Sequence, residues 1–239
     1  MITIITPAFN VIDSITKTYI SVMKQKNAEF EYIIMDGQST DGSVKVYENW
    51  TNNPKFKYSV EKDKGLYDAM NMGVKMASGD YIIFLGAGDE FASDTVLENV
   101  EACASKTCAD IIYGYAIFCY GNKKKKIYKR MIDRTYSLRA DPVSHQAVFS
   151  KRELLEKYPF DLKYKIAADQ DCIMKMYKKR KKFQYIDIAI SNYDMGGISA
   201  TEEGREKGKV ELHEIHRKYY PVQYMVHNVM RKIKRALTK

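Results

Sequence analysis

An α/β fold built on a doubly wound, mainly parallel sheet is what this sequence predicts. Through its first hundred or so residues, short apolar runs alternate with segments of helical spacing. The first of them, Ile2–Ile5, is continuous rather than alternating, as expected of a strand buried on both faces. A β-α-β-α order implies parallel strands joined by right-handed crossovers.

Taken in order, Ile2–Ile5 is a β-branched run closed by Pro7, which suits a buried strand. Helical spacing follows from Asp13 to about Lys26. Glu31–Met35 is the second strand, ending in Asp36-Gly37. Asp41–Trp50 reads as a helix, with Asp41 or Ser39 as its cap. Phe56–Val60 is a third strand and Leu66–Ala77 a helix stopped by Ser78-Gly79. Asp80–Leu85 is a fourth strand, and Asp94–Ser105 another helix. The second half changes character. Ile111–Tyr120, Gly121-Asn122 and Lys123–Lys129 read as strand, turn and returning strand, with the lysine run 123–126 on the solvated arm. Gln146–Phe149 is a short strand, Ala167–Lys179 a helix and Phe183–Ile190 a further strand. No repeat and no Pro/Gly/Ser linker divides the chain. The expected organisation is one domain over 1–200, with halves 1–105 and 106–200, and a basic helical tail over 201–239.

Composition narrows the classes. With 239 residues and 45% hydrophobic content, the chain can bury a full core. The net charge is +9, but ten Lys/Arg and only three Glu fall between Arg205 and Lys239. The body is therefore near neutral. Basicity confined to one end, without a recognition motif, argues against nucleic acid. The four cysteines form no C-x-x-C pair, which argues against structural zinc and for reduced thiols in a cytoplasmic protein. The opening MITIITPAFN has no basic leader region or cleavage site. No apolar run nears the roughly 20 residues of a spanning helix. A soluble or peripheral protein is expected.

Ligands of open parallel sheets bind outside the carboxyl ends of the strands. Here those ends carry Thr6-Pro7-Ala8-Phe9-Asn10, then Asp36-Gly37-Gln38-Ser39-Thr40-Asp41-Gly42-Ser43, then Glu61-Lys62-Asp63-Lys64-Gly65, then Gly86-Ala87-Gly88-Asp89-Glu90. Such acids accept base and ribose hydrogen bonds or hold a divalent cation that bridges phosphates. Taken singly, each loop reads equally as turn and cap chemistry. Neither a G-x-G-x-x-G after the first strand nor a P-loop occurs, and H-E-x-x-H and G-x-S-x-G are absent.

With these loops, the segments EKDKGLYDAMNMG (61–73), GDYIIFLGAGDEF (79–91), HQAVF (145–149), FDLKYKIAADQD (160–171) and GGIS (196–199) resemble the inverting family 2 glycosyltransferases of GT-A fold. The resemblance covers roughly 1–200 and is nearest to enzymes of bacterial surface polysaccharide synthesis, of the colanic acid, O-antigen and capsule kind. It implies a nucleotide-sugar donor, with a UDP-sugar as the commonest case, and a saccharide acceptor, often lipid-linked. It assigns 1–105 to the donor and 106–200 to acceptor and catalysis. Thr6, Pro7, Phe9 and Asp36 would border the nucleobase, with Asp36 accepting from the ring N–H. Asp63, Gly65, Asp68 and Asn71 would border the nucleotide. Gly88 and Asp89 would lie at the diphosphate, with Asp89 holding Mn²⁺ or Mg²⁺. Asp169 would be the general base, with Asp171 the runner-up, and His145 and Gln146 would line the acceptor side.

One departure stands out. Many members of the resembled family carry two or three acids where this chain has Gly86-Ala87-Gly88-Asp89. A weakly held ion fixed mainly by the diphosphate is the expectation. The thinned motif also motivates a non-enzyme alternative, a catalytically weakened nucleotide-sugar-binding protein. A sugar-1-phosphate nucleotidyltransferase shares the sheet type, but TPAFNVIDS is not the Gly/Arg-rich loop it would need. Beyond Val222, apolar residues at Val226, Val229, Met230, Ile233 and Leu237 keep helical spacing among Arg231, Lys232, Lys234 and Arg235. That pattern suits either an anionic membrane surface at the inner face of the cell membrane or a helix packed on the domain.

Overall fold

The computed structural model describes residues 1–120, 143–194 and 201–226, together with the backbone of 124–128. The GGIS segment and the chain beyond residue 226 lie outside the described residues, as do the side chains of the lysine run.

The first half follows the expected alternation: β1 (Ile2–Ala8), α1 (Ile15–Met23), β2 (Phe30–Asp36), α2 (Ser43–Glu48), β3 (Phe56–Val60), α3 (Leu66–Met76), β4 (Tyr81–Phe84), a short β5 (Glu90–Phe91) and α4 (Val96–Thr107). There follow β6 (Ile111–Tyr120), β7 (Lys124–Tyr128), a 3-10 turn (His145–Ala147), β8 (Val148–Lys151), α5 (Arg152–Lys157), α6 (Ala168–Lys178), β9 (Phe183–Asp194) and α7 (Glu202–Tyr219). The strands form one sheet in the order β3-β2-β1-β4-β8-β6-β9-β5, with β7 beside the far end of β6. From β3 to β4 every pairing is parallel. Beyond β4 the sheet is mixed, because β8 runs antiparallel to both β4 and β6 while β9 is parallel to β6.

Strand alternation explains the two cores. Successive side chains point to opposite faces. Ile5, Ile33 and Met35 therefore face α3, α5, α6 and α7, while Ile4, Tyr32 and Ile34 face α1, α2 and α4. The doubly wound architecture follows from this two-sided burial. At the amino ends of the strands, Glu31 ties the sheet together. It accepts hydrogen bonds from Thr3 Oγ1 at 2.7 Å, Ser78 Oγ at 2.7 Å and Lys57 Nζ at 2.9 Å.

Two features shape the second half of the chain. Opposite Gly114, the register of β9 against β6 slips, and a Cβ at Gly114 would lie 2.5 Å from Ile188 O. The extra residues of β9 form a bulge here, and only glycine at 114 leaves room for it. The second feature is α7, which docks on α6. Its Glu211 carboxylate accepts the backbone N–H groups of Lys165, Ile166 and Ala167, each at 2.9 Å. Thus the first part of the segment expected to be a tail is a docked helix. After Tyr220 a further helix begins at Pro221, with Val222, Met225 and Val226 exposed.

Candidate active site

The carboxyl ends of β1, β2 and β3 meet around Phe9, Gly37 and Asp63. A Cβ at Gly37 would fall 2.7 Å from Asp63 Oδ2 and 3.5 Å from the Phe9 ring. Only glycine lets the three strand ends converge so closely. Phe9 is 61% exposed at this opening. Thr6 and Pro7 are buried in the strand behind it, and Thr6 Oγ1 accepts from Tyr32 OH. They set where Phe9 stands and do not face the opening.

Asp36 is only 2% exposed, and its carboxylate is already engaged. It accepts from Ser39 N at 2.6 Å, Ser39 Oγ at 2.7 Å and Tyr47 OH at 3.0 Å. Asp36 is the post around which the Gly37–Ser43 loop turns. That loop in turn grips the segment after β1. Ser39 Oγ accepts from Asn10 N at 2.7 Å, and Asp41 accepts from Ile12 N at 2.9 Å.

Asp63 Oδ1 accepts from Gly65 N at 2.7 Å, and Asp68 accepts from Lys64 N at 2.9 Å. These bonds fold the loop onto the start of α3, where Gly65 takes a positive φ of 113°. Asn71 does not reach this loop. Its amide pairs both ways with the backbone of Phe160, at 3.0 and 2.9 Å, and so fastens α3 to the segment before α6.

The turn after β4 curls Asp89 back on itself. Asp89 Oδ2 accepts from Gly86 N at 2.9 Å, and Oδ1 accepts from Asp194 N at 2.8 Å. A Cβ at Gly86 would lie 2.9 Å from Asp89 Oδ2. Glycine at this position is what permits the curl. Burial pushes the Asp89 carboxyl up to about 6, against the lowering by the Asp194 and Gly86 N–H groups and by His145. Asp194, at the end of β9, places its carboxylate 3.4 Å from a Cβ built at Gly88. It is a second acid at this turn that the motif search did not single out.

Among the described residues, no three His, Cys, Asp or Glu side chains cluster as a preformed metal cage. The residues fit a divalent cation of the kind that takes one or two carboxylates and depends on substrate phosphates for the rest. Asp89 and Asp194 are the acids placed to serve it.

Across from this edge, the amino end of α6 holds the densest polar cluster. Asp169 is nearly buried. Its Oδ1 accepts from Tyr67 OH at 3.1 Å and Gln170 N at 2.9 Å. Its Oδ2 meets His145 Nδ1 at 2.9 Å and Gln170 Nε2 at 3.3 Å. Burial raises the Tyr67 hydroxyl well above the ordinary phenol range, and the Asp169 charge adds to that. Tyr67 therefore stays protonated and donating. Nothing in the spacing of LYDAM separates it from a core aromatic. Tyr67 also lies two residues beyond Gly65, so α3 joins the Asp63–Gly65 loop directly to Asp169.

His145, Gln146, Asp169 and Gln170 line a cavity of about 320 Å³, lined also by residues of β6, β9 and α7. Asp171 is not part of it. It is fully enclosed and pairs with Lys218 at 2.8 Å and Lys175 at 3.4 Å, on the α7 side of the helix. The structure thus separates the two acids: Asp169 faces the cavity and Asp171 belongs to the α6–α7 seam.

A Rossmann-like sheet with acids along one edge, facing an acid–histidine pair at a cavity, defines a transferase of the GT-A type. Comparison with known proteins narrows the class: the chain belongs to glycosyl transferase family 2, whose family model matches residues 3–182. It is 28% identical over 212 residues to a PGL/p-HBAD biosynthesis glycosyltransferase of Mycobacterium bovis, covering 86% of this chain and 82% of that one. It is 34% identical over 179 residues to an uncharacterized glycosyltransferase of Mycobacterium tuberculosis, covering 73% and 68%. In fold it is similar to S. aureus TarS 1-349 in complex with UDP-GlcNAc, with a TM-score of 0.70 at 18% identity over 91% of this chain and 71% of that one. It is similar also to the mannosyltransferase PcManGT of Pyrobaculum calidifontis in complex with GDP-Man and Mn2+, with a TM-score of 0.64 at 14% identity over 96% and 64%.

Proposed function

We propose that the chain moves a sugar from a nucleotide-sugar to a saccharide acceptor with inversion, in the synthesis of a surface polysaccharide. The observation that carries this reading is the pairing of two sites through α3. The helix begins at the Asp63–Gly65 loop of the donor edge and presents Tyr67 to Asp169 at the cavity. Phe9 and Asp63 border the base, with Asp36 shaping the turn between them. Gly88 and Asp89 border the diphosphate, where a bound cation would neutralise charge on the leaving group. Asp68 and Gly65 hold the intervening loop, and Asn71 anchors its helix. Asp169 is the centre of the base that activates the acceptor hydroxyl, and His145 and Gln146 line the acceptor side. In direct displacement, the hydroxyl oxygen attacks the anomeric carbon in line with the departing diphosphate, so the configuration inverts.

A lipid-linked acceptor fits a chain working at the inner face of the cell membrane. No helix among the described residues is long and apolar enough to cross a membrane. Exposed Val222, Met225 and Val226 at the start of the last helix, followed in sequence by five Lys/Arg, support peripheral attachment. The test is a thermal-shift screen of nucleotides and nucleotide-sugars with and without Mn²⁺, since a ligand of the native state raises its melting temperature. Stabilisation by a nucleoside diphosphate and its sugar conjugate is expected. Stabilisation by none of them would overturn the donor assignment.

A further inference from the structure

The cavity beside Asp169 has two unlike walls, and they bear on the identity of the acceptor, an inference that rests on the transfer reaction above. One wall is polar. It is made by Ser144, His145 and Gln146 of the 3-10 turn and by Asp169 and Gln170 of α6. Hydrogen bonds fasten the two segments together: His145 Nδ1 pairs with Asp169 Oδ2 at 2.9 Å, and Gln170 Nε2 donates to Val143 O at 2.8 Å. Ser144 Oγ donates to Gln146 Oε1 within the turn. Much of the hydrogen-bonding capacity of this wall is spent within it, so it can meet the reacting hydroxyl and few others.

The other wall, from β6, β9 and α7, is apolar. Phe118 and Tyr193 are register partners on neighbouring strands, and their rings meet edge to face with centroids 5.1 Å apart. Ala116 precedes Phe118 by two residues and shares its face of β6. Leu212 of α7 faces the same space. A Cβ at Gly208 would lie 3.0 Å from Ile166 Cγ2, so glycine there lets α7 approach closely and brings Leu212, one turn further on, to the cavity. Among the described lining residues of these three elements, only Tyr115 and Tyr193 carry a polar side-chain atom.

At about 320 Å³ the cavity lies at the small end of ligand sites, which run from about 300 to 1,000 Å³. It suits a sugar ring and not an extended chain. A hexopyranose with its reacting hydroxyl at Asp169 turns its opposite edge to Phe118, Tyr193 and Leu212. A hydroxyl on that edge loses water without a matching partner, which costs free energy. A methyl group there buries apolar surface, which is favourable. We propose that the accepting residue is a 6-deoxyhexose, with its methyl group against the Phe118–Tyr193–Leu212 wall and its hydroxyl-bearing edge toward Asp169.

The test is a binding titration of the full chain, followed by NMR, with a nucleoside diphosphate present. The probes are methyl glycosides of glucose, galactose and mannose, each matched with its 6-deoxy form, in the D and L series. An apolar pocket discriminates against an added hydroxyl by up to about 10²-fold, so the 6-deoxy member of the best-bound pair should bind about 10–100-fold more tightly. Leu212→Gln and Ala116→Ser each put a polar group on the apolar wall, and each should cut that preference to below about threefold. Both are checked by thermal melting, and if Leu212→Gln does not fold, Ala116→Ser decides. Equal affinity within the best-bound pair, preference for the hydroxymethyl form, binding of no pair, or a preference that survives in the folded variants overturns the proposal. A wild-type chain that binds no nucleotide-sugar defeats the transfer reading instead, and donor binding measured first tells the two failures apart.

Discussion

Replacing Glu211 with alanine should disturb α6 from a distance, because this carboxylate holds three backbone N–H groups just ahead of Asp169. Each bond is 2.9 Å long, and the acceptor is charged. Hydrogen bonds to charged groups contribute about 1.5–3 kcal/mol each. Lys165 is exposed, so water can take its N–H, but Ala167 is buried and Ile166 half-buried. The loss should therefore come to about 3 kcal/mol, set mainly by the two enclosed donors. For a chain of this size, that corresponds to a melting temperature lower by about 6–12 °C. The same loop leads into α6, and a displacement of about 1 Å at a catalytic group costs on the order of 10²-fold in rate. Glu211→Gln keeps one carbonyl oxygen for Ile166 and Ala167 and turns an amide toward Lys165, so it should fall between alanine and wild type. The assays are thermal melting and steady-state kcat. A Glu211→Ala chain that melts within about 2 °C of wild type and keeps its kcat would show that the loop is held by something else.

Three other outcomes are expected. Burial pushes the Glu31 carboxyl up, but hydrogen bonds from Lys57, Ser78 and Thr3 outweigh it and hold the group at about 2. A depressed carboxylate stabilises the fold above its unfolded pKa of 4.5, and that stability is lost as pH falls toward about 2. With Lys57 half exposed, screening limits the effect to about 1–2 kcal/mol. Glu31→Gln should therefore melt lower than wild type at neutral pH, and the gap should close below pH 4.5; a gap independent of pH refutes the charge argument. EDTA should abolish donor turnover and Asp89→Ala should mimic it, whereas full activity in EDTA removes Asp89 from metal binding. Truncation before Val222 should abolish salt-sensitive co-sedimentation with anionic vesicles and spare donor binding. The basis is five basic residues at about 1 kcal/mol each, screened over about 8 Å. Unchanged vesicle binding by the truncated chain would place the membrane contact elsewhere, and unfolding would place the helix in the core.

What could be read from the sequence was residue type and order; direction was hidden. The parallel strands were legible because Ile2–Ile5 is a β-branched run, Glu31–Met35 is largely apolar and Phe56–Val60 alternates apolar with polar residues, at regular intervals, and the strands lie where those segments predict. Strand β5 and helix α5 were too short to leave a period. Asp36 and Asp63 look alike in sequence, yet Asp36 is enclosed by Ser39 and Tyr47 while Asp63 stands beside Phe9. Tyr67 reads as a core aromatic because its ring is one; only its hydroxyl, reaching Asp169 across 102 residues, carries the site. Helix α7 was hard to read because it is polar along most of its length. Its docking depends on single residues, among them Glu211 and the close approach of Gly208 to Ile166, which have no periodic signature. The departure at Gly86 was visible, but its reason, the curl of Asp89, needed coordinates.

The central claim is that the cluster on Asp169 activates the acceptor while the donor edge binds independently of it. The most direct measurement is nucleoside diphosphate release by wild type and Asp169→Asn, alongside the donor Kd of each. The account predicts unchanged donor affinity and melting temperature with a rate lower by about 10²–10⁴-fold. A variant that retains the wild-type rate, or that loses donor binding in proportion to rate, would contradict it.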